Sequence, residues 1–336
     1  LTGAQHVKPN WLKSKMLLNL DSEDDGRFCI GCAGGVDTIA TYKFQALPTP
    51  SNSFFLELKV LGLLGGHSGD DINKGRGNAI KILARYLWNE SKKMPIYLKK
   101  IHGGNLHNAI PREASAIIAI PFEQKETFRI DLNQYIATIE NELATEPDLS
   151  ISMESADFSD EVLDSKLSGK LISALYSLPN GVIEMSKEIE GLVETSTNLA
   201  SIKMPDEYTI IVSSSQRSSV ESKKHDIKNR MEAIFNIAGA ESVSHSDGYP
   251  GWKPNMQSKI KDIVVNSYTE LFNKQPVVTA IHAGLECGLF VEKYPELDMI
   301  SIGPDIFSNH SPSERCSIPS VANYWKHFLK ILENIH

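Results

Sequence analysis

The sequence has no excess of positive charge and no long apolar run. Lysine and arginine number 34 against 42 aspartates and glutamates, so the formal net charge of the 336 residues is −8 at pH 7. No block of basic residues interrupts this balance, which argues against a nucleic acid or an anionic membrane surface as a partner. No apolar run approaches the roughly 18–20 residues that a membrane-spanning helix needs, so none is predicted.

Cysteine is also scarce. Cys29 and Cys32 form a C-x-x-C pair, and Cys287 and Cys316 stand apart from it. A C-x-x-C pair can indicate redox or metal chemistry, but no second pair has zinc-ribbon spacing and no helix N-terminus follows to activate a thiol. We interpret the cysteines as reduced thiols in and beside a buried strand, which favours a cytoplasmic location.

Several catalytic signatures are missing. The chain contains no G-x-S-x-G nucleophile elbow and no H-E-x-x-H zinc helix. The segment 75–77 reads Gly-Arg-Gly but lacks the strand and the further glycine of a dinucleotide-binding turn. Hydrophobic residues nevertheless make up 41% of the chain and charged residues 23%, as in an ordinary globular protein of one to three domains.

The two ends of the chain have the alternating strands and helices of an α/β domain. Apolar strands are predicted at 15–20 and 27–33, and the second ends in a Gly-Gly pair. After residue 246 the pattern is a helix over 257–272, a strand over 276–281, a strand ending in Gly303-Pro304, and a helix from Pro319 with an apolar stripe of Val321, Trp325, Phe328, Leu329 and Leu332. We therefore expect residues 1–34 and 247–336 to form one α/β domain that an insert interrupts.

Residues 35–246 are predicted to form that insert, a lid domain of two βαββαβ halves. The first half has strands at 54–64, 96–101, 113–120 and 149–153, with a helix that carries an apolar stripe over 80–88 and a helix at about 127–144. The second half has helices at 162–178 and 220–237 and strands at 182–186, 190–194, 208–213 and 241–245. The turns at Asn108 and Asn198 look like one turn used twice, so the expected class is α/β with an α+β lid of two ferredoxin-like halves.

Two distant polar residues are the candidates for metal binding. Asp21 follows the apolar strand at 15–20, and His310 lies on the loop after Gly303-Pro304. Ligands in α/β folds bind beyond the carboxyl ends of strands, and imidazole and carboxylate are ordinary zinc ligands. The hypothesis is that these two residues meet; the alternative is that His310 is a solvated surface histidine.

Three further residues lie at the ends of predicted elements. His67 lies in Gly-Gly-His-Ser-Gly, where it could stabilise an oxyanion or could simply be solvated in a turn. Arg217 ends a strand and could bind a carboxylate with its planar fork, or cap that strand at the surface. Glu286 opens a helix, where the dipole stabilises its charge, and could hold a substrate ammonium.

Taken in order, the motifs resemble the aminoacyl-histidine dipeptidases, carnosine-cleaving members of the co-catalytic zinc peptidase family. The resemblance runs over essentially the whole chain and is carried by segments 17–23, 31–35, 65–69, 108–114, 179–183, 193–196, 249–252, 281–290, 301–304 and 310–312. It implies a metallopeptidase that hydrolyses Xaa-His dipeptides such as β-alanyl-histidine through a water activated by two zinc ions.

The resemblance also implies a role for each candidate. Asp21 would bind one zinc and His310 the other, while His67 would donate to the oxyanion. Arg217 would bind the dipeptide carboxylate, supported by Asn198 or Asn108. By analogy with dimeric relatives, one half of the lid would imitate a partner subunit, and a homodimer is a further expectation.

The sequence departs from the family in one respect. The family pattern requires an upstream His-x-Asp and a Glu-Glu pair, and neither precedes Asp21 here. The chain opens on Leu1 in what reads as a mid-domain loop, so we expect a piece of a longer protein that is inactive alone and binds zinc weakly. The alternatives are a non-catalytic binding or regulatory protein, or a tripeptidase or amino-acid deacylase on the same scaffold.

Overall fold

A computed structural model describes residues 2–308 and 313–335. The helices are α1 (Thr2–His6), α2 (Ala79–Ser91), α3 (Lys125–Glu142), α4 (Ser165–Ser177), α5 (Glu221–Ile237), α6 (Lys259–Phe272), α7 (Glu286–Lys293) and α8 (Ile318–Asn334), with a 3-10 turn at Phe122–Gln124. Within the described ranges, none of these helices is long and apolar enough to cross a membrane.

The strands fall into two main sheets and three short two-stranded pairs. They are β1 (Met16–Asn19), β2 (Arg27–Cys32), β3 (Gly34–Lys43), β4 (Ala46–Pro48), β5 (Ser53–Leu61), β6 (Gly66–His67), β7 (Tyr97–Gly103), β8 (Ala109–Ile110), β9 (Ala114–Pro121), β10 (Ser150–Ser155), β11 (Glu161–Leu163), β12 (Gly181–Met185), β13 (Val193–Lys203), β14 (Thr209–Ser218), β15 (Ser242–His245), β16 (Val277–Ile281), β17 (Asp298–Ser301), β18 (Ile306–Phe307) and β19 (Arg315–Cys316).

The smaller sheet has the strand order β1-β17-β2-β16. β1 runs parallel to β17 and β16 parallel to β2, whereas β17 meets β2 antiparallel at one residue pair. Its core joins Phe28 and Ile300 to Val264 of α6 and Ile331 of α8. Cys29 and Cys32 are buried in β2 as free thiols, as the sequence predicted.

The larger sheet has the order β10-β5-β9-β7-β13-β14-β3-β15, with β12 beside β13. The first four strands and the last four each have the spatial order 4-1-3-2 of a ferredoxin-like unit when numbered along the chain. The two units join where β7 meets β13, at the pair Ile202 and Gly103. One continuous core beneath both units includes Leu83 of α2, Phe128 of α3, Leu171 of α4 and Phe235 of α5.

The second ferredoxin-like unit differs from its prediction. Its first strand is β3, which precedes the whole first unit and which the sequence analysis left unassigned, although Val36, Ala40 and Tyr42 are buried along it. The strand predicted at 190–194 is the beginning of β13, which continues to Lys203. Asn198 therefore lies inside a strand paired with Ser215, and the prediction that its turn repeats that of Asn108 is wrong.

Helix α8 begins at Ile318 with Ser317 as its N-cap, close to the predicted start at Pro319. Its buried face is formed by Ser320, His327 and Ile331. Most of the predicted stripe instead faces outward, with Val321, Trp325, Leu329 and Leu332 all exposed. The described residues therefore cover one face of the helix and leave these four apolar side chains of the other face exposed.

Candidate functional site

Three parts of the fold meet at one place, which we call the junction and define by His67, Asn198, Arg217, Tyr249 and His282. The loop after β6 reaches the end of β16, since a Cβ on Gly69 would lie 2.4 Å from the backbone oxygen of His282. His282 Nε2 lies 2.7 Å from Ser196 Oγ on β13. Asn198 Nδ2 donates to the Ala109 carbonyl at 2.8 Å. The junction therefore gathers both lid units and the smaller sheet.

His67 ends β6, which pairs with β8 and places His67 opposite Ala109. Its Nδ1 lies 3.3 Å and 3.2 Å from the amide nitrogens of Gly69 and Asp70. The same atom lies 3.1 Å from the carboxylate of Asp70. The loop thus suits both states of the ring, because the amides donate to a bare Nδ1 and the carboxylate accepts from a protonated one. In both cases it is Nδ1 that the loop holds.

Asp70 connects His67 electrostatically to Arg217. The hydrogen bond from His67 is the largest influence on this carboxyl and lowers its pKa, and the charge of Arg217 lowers it further against partial burial. Asp70 is therefore ionised at neutral pH, and its carboxylate lies beside the Nδ1 edge of His67.

Arg217 lies near the end of β14, where it is only 7% exposed. It stands between Ser196 of β13 and Gly35 of β3 in the register of the sheet. Its Nη1 donates to the hydroxyl of Tyr249 at 2.9 Å, whereas its Nε is buried and makes no hydrogen bond to any described residue. An unsatisfied donor on a buried guanidinium is costly unless a ligand completes it.

His282 follows β16 and is 6% exposed. Burial, followed by the charge of Arg217, lowers its pKa to about 4, against opposing influences from Asp70 and the Val193 backbone. The imidazole is therefore neutral at physiological pH, and its hydrogen bond to Ser196 joins the smaller sheet to the lid. Its Nδ1 is buried without a hydrogen bond of good geometry among the described residues.

The two candidate asparagines both lie at the junction. Asn198 is 1% exposed, and its Oδ1 has no hydrogen-bond partner among the described residues. Asn108 is half-buried beside the His67 loop, where its backbone oxygen accepts from the Ser68 amide at 2.8 Å. The unsatisfied oxygen makes Asn198 the asparagine that is better placed to receive a donor from a ligand.

Asp21 and Glu286 lie elsewhere, at the carboxyl end of β1. Asp21 is exposed, and its amide donates to Asn19 Oδ1 at 3.1 Å. Glu286 opens α7 as predicted and accepts from Asn19 Nδ2 at 3.2 Å. His310 lies outside the described residues, so its predicted meeting with Asp21 is not tested.

The metal-ligand set is of the right type but too small. Carboxylates at the carboxyl end of a sheet suit a divalent cation. Among the residues that the structure describes, however, no three His, Cys, Asp or Glu side chains are grouped as a metal ion would require. Since catalytic zinc usually has three protein ligands, we derive no catalytic step through a metal from these residues.

Comparisons with known proteins agree with this architecture. Residues 58–147, which cover most of the first lid unit, match the M20 family model described as a peptidase dimerisation domain. The cytosol non-specific dipeptidase of Escherichia coli (strain K12) is 39% identical over 338 residues, which cover 100% of this chain and 69% of that protein. The crystal structure of aminoacylhistidine dipeptidase from Vibrio alginolyticus superimposes with a TM-score of 0.95 at 38% identity, covering 100% of this chain and 68% of that one.

A lid of two ferredoxin-like units on a mixed α/β sheet thus defines an M20-type peptidase scaffold. The chain belongs to the M20 metallopeptidase family, in the dipeptidase branch that contains these two relatives. Members of this family are metal-dependent hydrolases. The predicted family and the predicted hydrolytic enzyme class are therefore confirmed. The predicted fold class is confirmed by the superposition.

The sequence predicts no role for Tyr249 and His282 of the junction, nor for Ser196 and Asp70, which contact His282 and His67. Tyr249 and His282 lie in segments that carried the resemblance, Tyr-Pro-Gly-Trp and Ile-His-Ala-Gly, but neither was given a role. Their importance follows from burial and from pairing with distant strands. The local signal that the two share is weak: Gly248 precedes Tyr249, and Gly284 lies two residues after His282.

Proposed function

We propose that this chain is the substrate-binding and lid portion of a zinc-dependent dipeptidase that hydrolyses Xaa-His dipeptides such as β-alanyl-histidine. The observation that carries the proposal is the buried guanidinium of Arg217, which has an unsatisfied Nε and no salt bridge to a described carboxylate. A buried cation of this kind needs an anion, and the carboxylate at the end of a dipeptide has the matching planar geometry.

The other candidates then take consistent roles. Asn198 would support the bound dipeptide through Oδ1, with Asn108 beside it, and Glu286 would hold the substrate ammonium. His67 would donate through Nε2 to the oxyanion that develops on the scissile carbonyl, with Nδ1 held by Asp70. Asp21 and His310 would hold zinc, which when bound supplies an electrophile and an activated water.

We further propose that the 336 residues alone are inactive and bind zinc weakly. The described residues contain no group of three ligands, and Asp21 with His310 would provide one ligand for each of two ions. The relatives are longer, since the chain covers 69% and 68% of their lengths. The family ligands that this sequence lacks would belong to the remaining part.

The domain division at 34/35 and 246/247 is retained as a proposal, as are the location and assembly. A cytoplasmic location is supported by the name of the Escherichia coli relative and by the free thiols of Cys29, Cys32 and Cys287. A homodimer is supported by the description of the matched family model as a dimerisation domain.

The test is release of histidine from β-alanyl-histidine with added zinc, by this chain and by the product of the complete gene. We expect hydrolysis by the complete product only, and we expect Arg217→Lys to raise its KM at least about tenfold because the planar fork is lost. Arg85→Lys is the matched control, since Arg85 pairs with Glu142 at the surface of the first lid unit.

Activity in neither protein would favour the non-catalytic binding protein. Hydrolysis of tripeptides or acylated amino acids in place of Xaa-His would indicate one of the other peptidase alternatives. Full activity of the short chain would contradict the proposed metal ligands.

A further inference from the structure

We propose that Tyr249 is the positioning residue that fixes the plane of the Arg217 guanidinium, so that the edge formed by Nε and Nη2 binds the substrate carboxylate. This inference rests on the proposed function, because it assigns a positioning residue to the proposed carboxylate site. It concerns a residue outside both ferredoxin-like units, on the connection that leads from β15 to α6.

The hydrogen-bonding pattern of Arg217 carries the inference. Nη1 donates to the Tyr249 hydroxyl at 2.9 Å, and Nε is buried without a partner among the described residues. A guanidinium can grip a carboxylate bidentately with two adjacent N–H groups. Nη1 carries two N–H groups and gives one of them to Tyr249, whereas the single N–H of Nε has no partner among the described residues, so the adjacent pair of Nε and Nη2 is the edge that a carboxylate would complete.

The backbone of Tyr249 is fixed to the first strand of the second lid unit. Its amide donates to the Gly35 carbonyl at 2.9 Å, and the Gly35 amide donates to the Tyr249 carbonyl at 3.0 Å. Lys224 Nζ also donates to that carbonyl, at 2.8 Å. Since Gly35 is the direct cross-strand neighbour of Arg217, Tyr249 and Arg217 are held in one row of the sheet.

Two glycines leave the space that the ring occupies. A Cβ on Gly35 and a Cβ on Gly284 would each lie 2.7 Å from atoms of the Tyr249 ring, which is closer than carbon atoms can pack. The ring is thus enclosed between the lid strand and the loop after β16. Its hydroxyl has little freedom to leave Arg217.

The chemistry of the phenol suits this role. Burial raises the pKa of Tyr249, while the charge of Arg217 opposes that rise. The hydroxyl is therefore neutral at physiological pH. It accepts from the guanidinium without neutralising its charge, so the full positive charge remains for the substrate, whereas a carboxylate in the same place would compete with it.

The test compares Tyr249→Phe with the unchanged protein, both made from the complete gene. The substrates are β-alanyl-histidine and its C-terminal amide, which lacks the carboxylate. We expect Tyr249→Phe to raise KM for the acid about tenfold and to leave kcat within about twofold, because a binding contact is misaligned and the reacting atoms are not touched. The values for the amide should be unchanged.

The matched control is Tyr135→Phe. Tyr135 is buried, and its hydroxyl donates to the Ile82 carbonyl at 2.7 Å, far along the chain from the junction. Each variant loses one hydrogen bond of a phenol, so both should melt at a slightly lower temperature. Only Tyr249→Phe should reduce the preference for the acid over the amide.

The outcomes separate this inference from the proposed function. If the unchanged protein prefers the acid, and Arg217→Lys abolishes that preference while Tyr249→Phe retains it, the role of Tyr249 is refuted and the carboxylate site stands. If the unchanged protein does not distinguish acid from amide, the carboxylate site fails, and the role of Tyr249 fails with it.

Discussion

His282 shows what a single residue contributes to the junction. Burial lowers its pKa from 6.5 to about 4, while its Nε2 stays within 2.7 Å of Ser196 Oγ. The folded protein therefore resists protonation of this ring, whereas the unfolded chain accepts a proton near pH 6.5. Because the unfolded state binds more protons between these values, the free energy of unfolding falls as the pH drops from about 6.5 toward 4.

We therefore expect His282→Asn to flatten the pH dependence of stability. The loss of unfolding free energy between pH 7 and pH 4.5 should be smaller in the variant by roughly 2 kcal/mol, since one depressed pKa is removed. Chemical denaturation at a series of pH values measures this difference.

The control for this experiment is His225→Asn, because the side chain of His225 is 60% exposed on α5. Its curve should run parallel to that of the unchanged protein. His327 is also buried with a lowered pKa, so it supplies a background slope that all three proteins share. Equal slopes for His282→Asn and the unchanged protein would show that His282 is not held neutral.

At this scale the sequence predicted three of the junction residues. His67 was predicted from its glycine-rich turn, Arg217 from its place at the end of a strand, and Asn198 from the family resemblance, and the structure places all three at the junction. Tyr249 and His282 were not identified, because their partners Arg217 and Ser196 are 32 and 86 residues away along the chain. Local pattern carries no information about such pairing, which depends on sheet register.

At the scale of elements, the first lid unit was predicted throughout, whereas the second was predicted without its first strand and with its second strand too short. The first unit is continuous from β5 to β10, and each of its strands and helices has its own periodic pattern. The second unit begins with β3, whose partners β14 and β15 come after the entire first unit. Local sequence pattern does not indicate that a strand pairs with partners on the far side of a whole inserted unit, so β3 could not be assigned to the second unit from the sequence.

The contact between the two units gives a prediction about Gly104, which follows β7. Gly104 has φ +63°, and a Cβ there would lie 2.0 Å from the Ala200 carbonyl oxygen of β13. Alanine at this position must push β7 and β13 apart where the units join. We expect Gly104→Ala to lower the free energy of unfolding by about 3 kcal/mol or more, measured by denaturant titration.

Gly75→Ala separates backbone strain from crowding. Gly75 has nearly the same torsion, φ +68°, but its Cβ would meet no atom within 4 Å. This variant should therefore lose only about 1 kcal/mol of unfolding free energy, because alanine is strained in a left-handed conformation. Similar losses of unfolding free energy for the two variants would mean that the contact between β7 and β13 adds nothing to stability.

At the scale of the whole molecule, the doubled lid determines where the junction residues come from. His67 belongs to the first ferredoxin-like unit and Arg217 to the second, and β7 and β13 join these units within one chain. The loop of His67 reaches His282 of the same chain, since Gly69 lies against the His282 carbonyl. One chain thus supplies both lid side chains of the proposed site without help from a partner.

Mixing two damaged proteins tests this arrangement. His67→Ala and Arg217→Ala, each in the product of the complete gene, should be nearly inactive for different reasons. If each site takes both residues from one chain, mixed dimers contain no intact site, and co-refolded mixtures should have only the summed activity of the two variants. If each site took His67 from one subunit and Arg217 from the other, one site of each mixed dimer would regain both residues, restoring about a quarter of full activity after random pairing. Co-purification of differently tagged chains after refolding would show that mixed dimers had formed. When mixed dimers are present, recovery of about a quarter of full activity would refute the single-chain site.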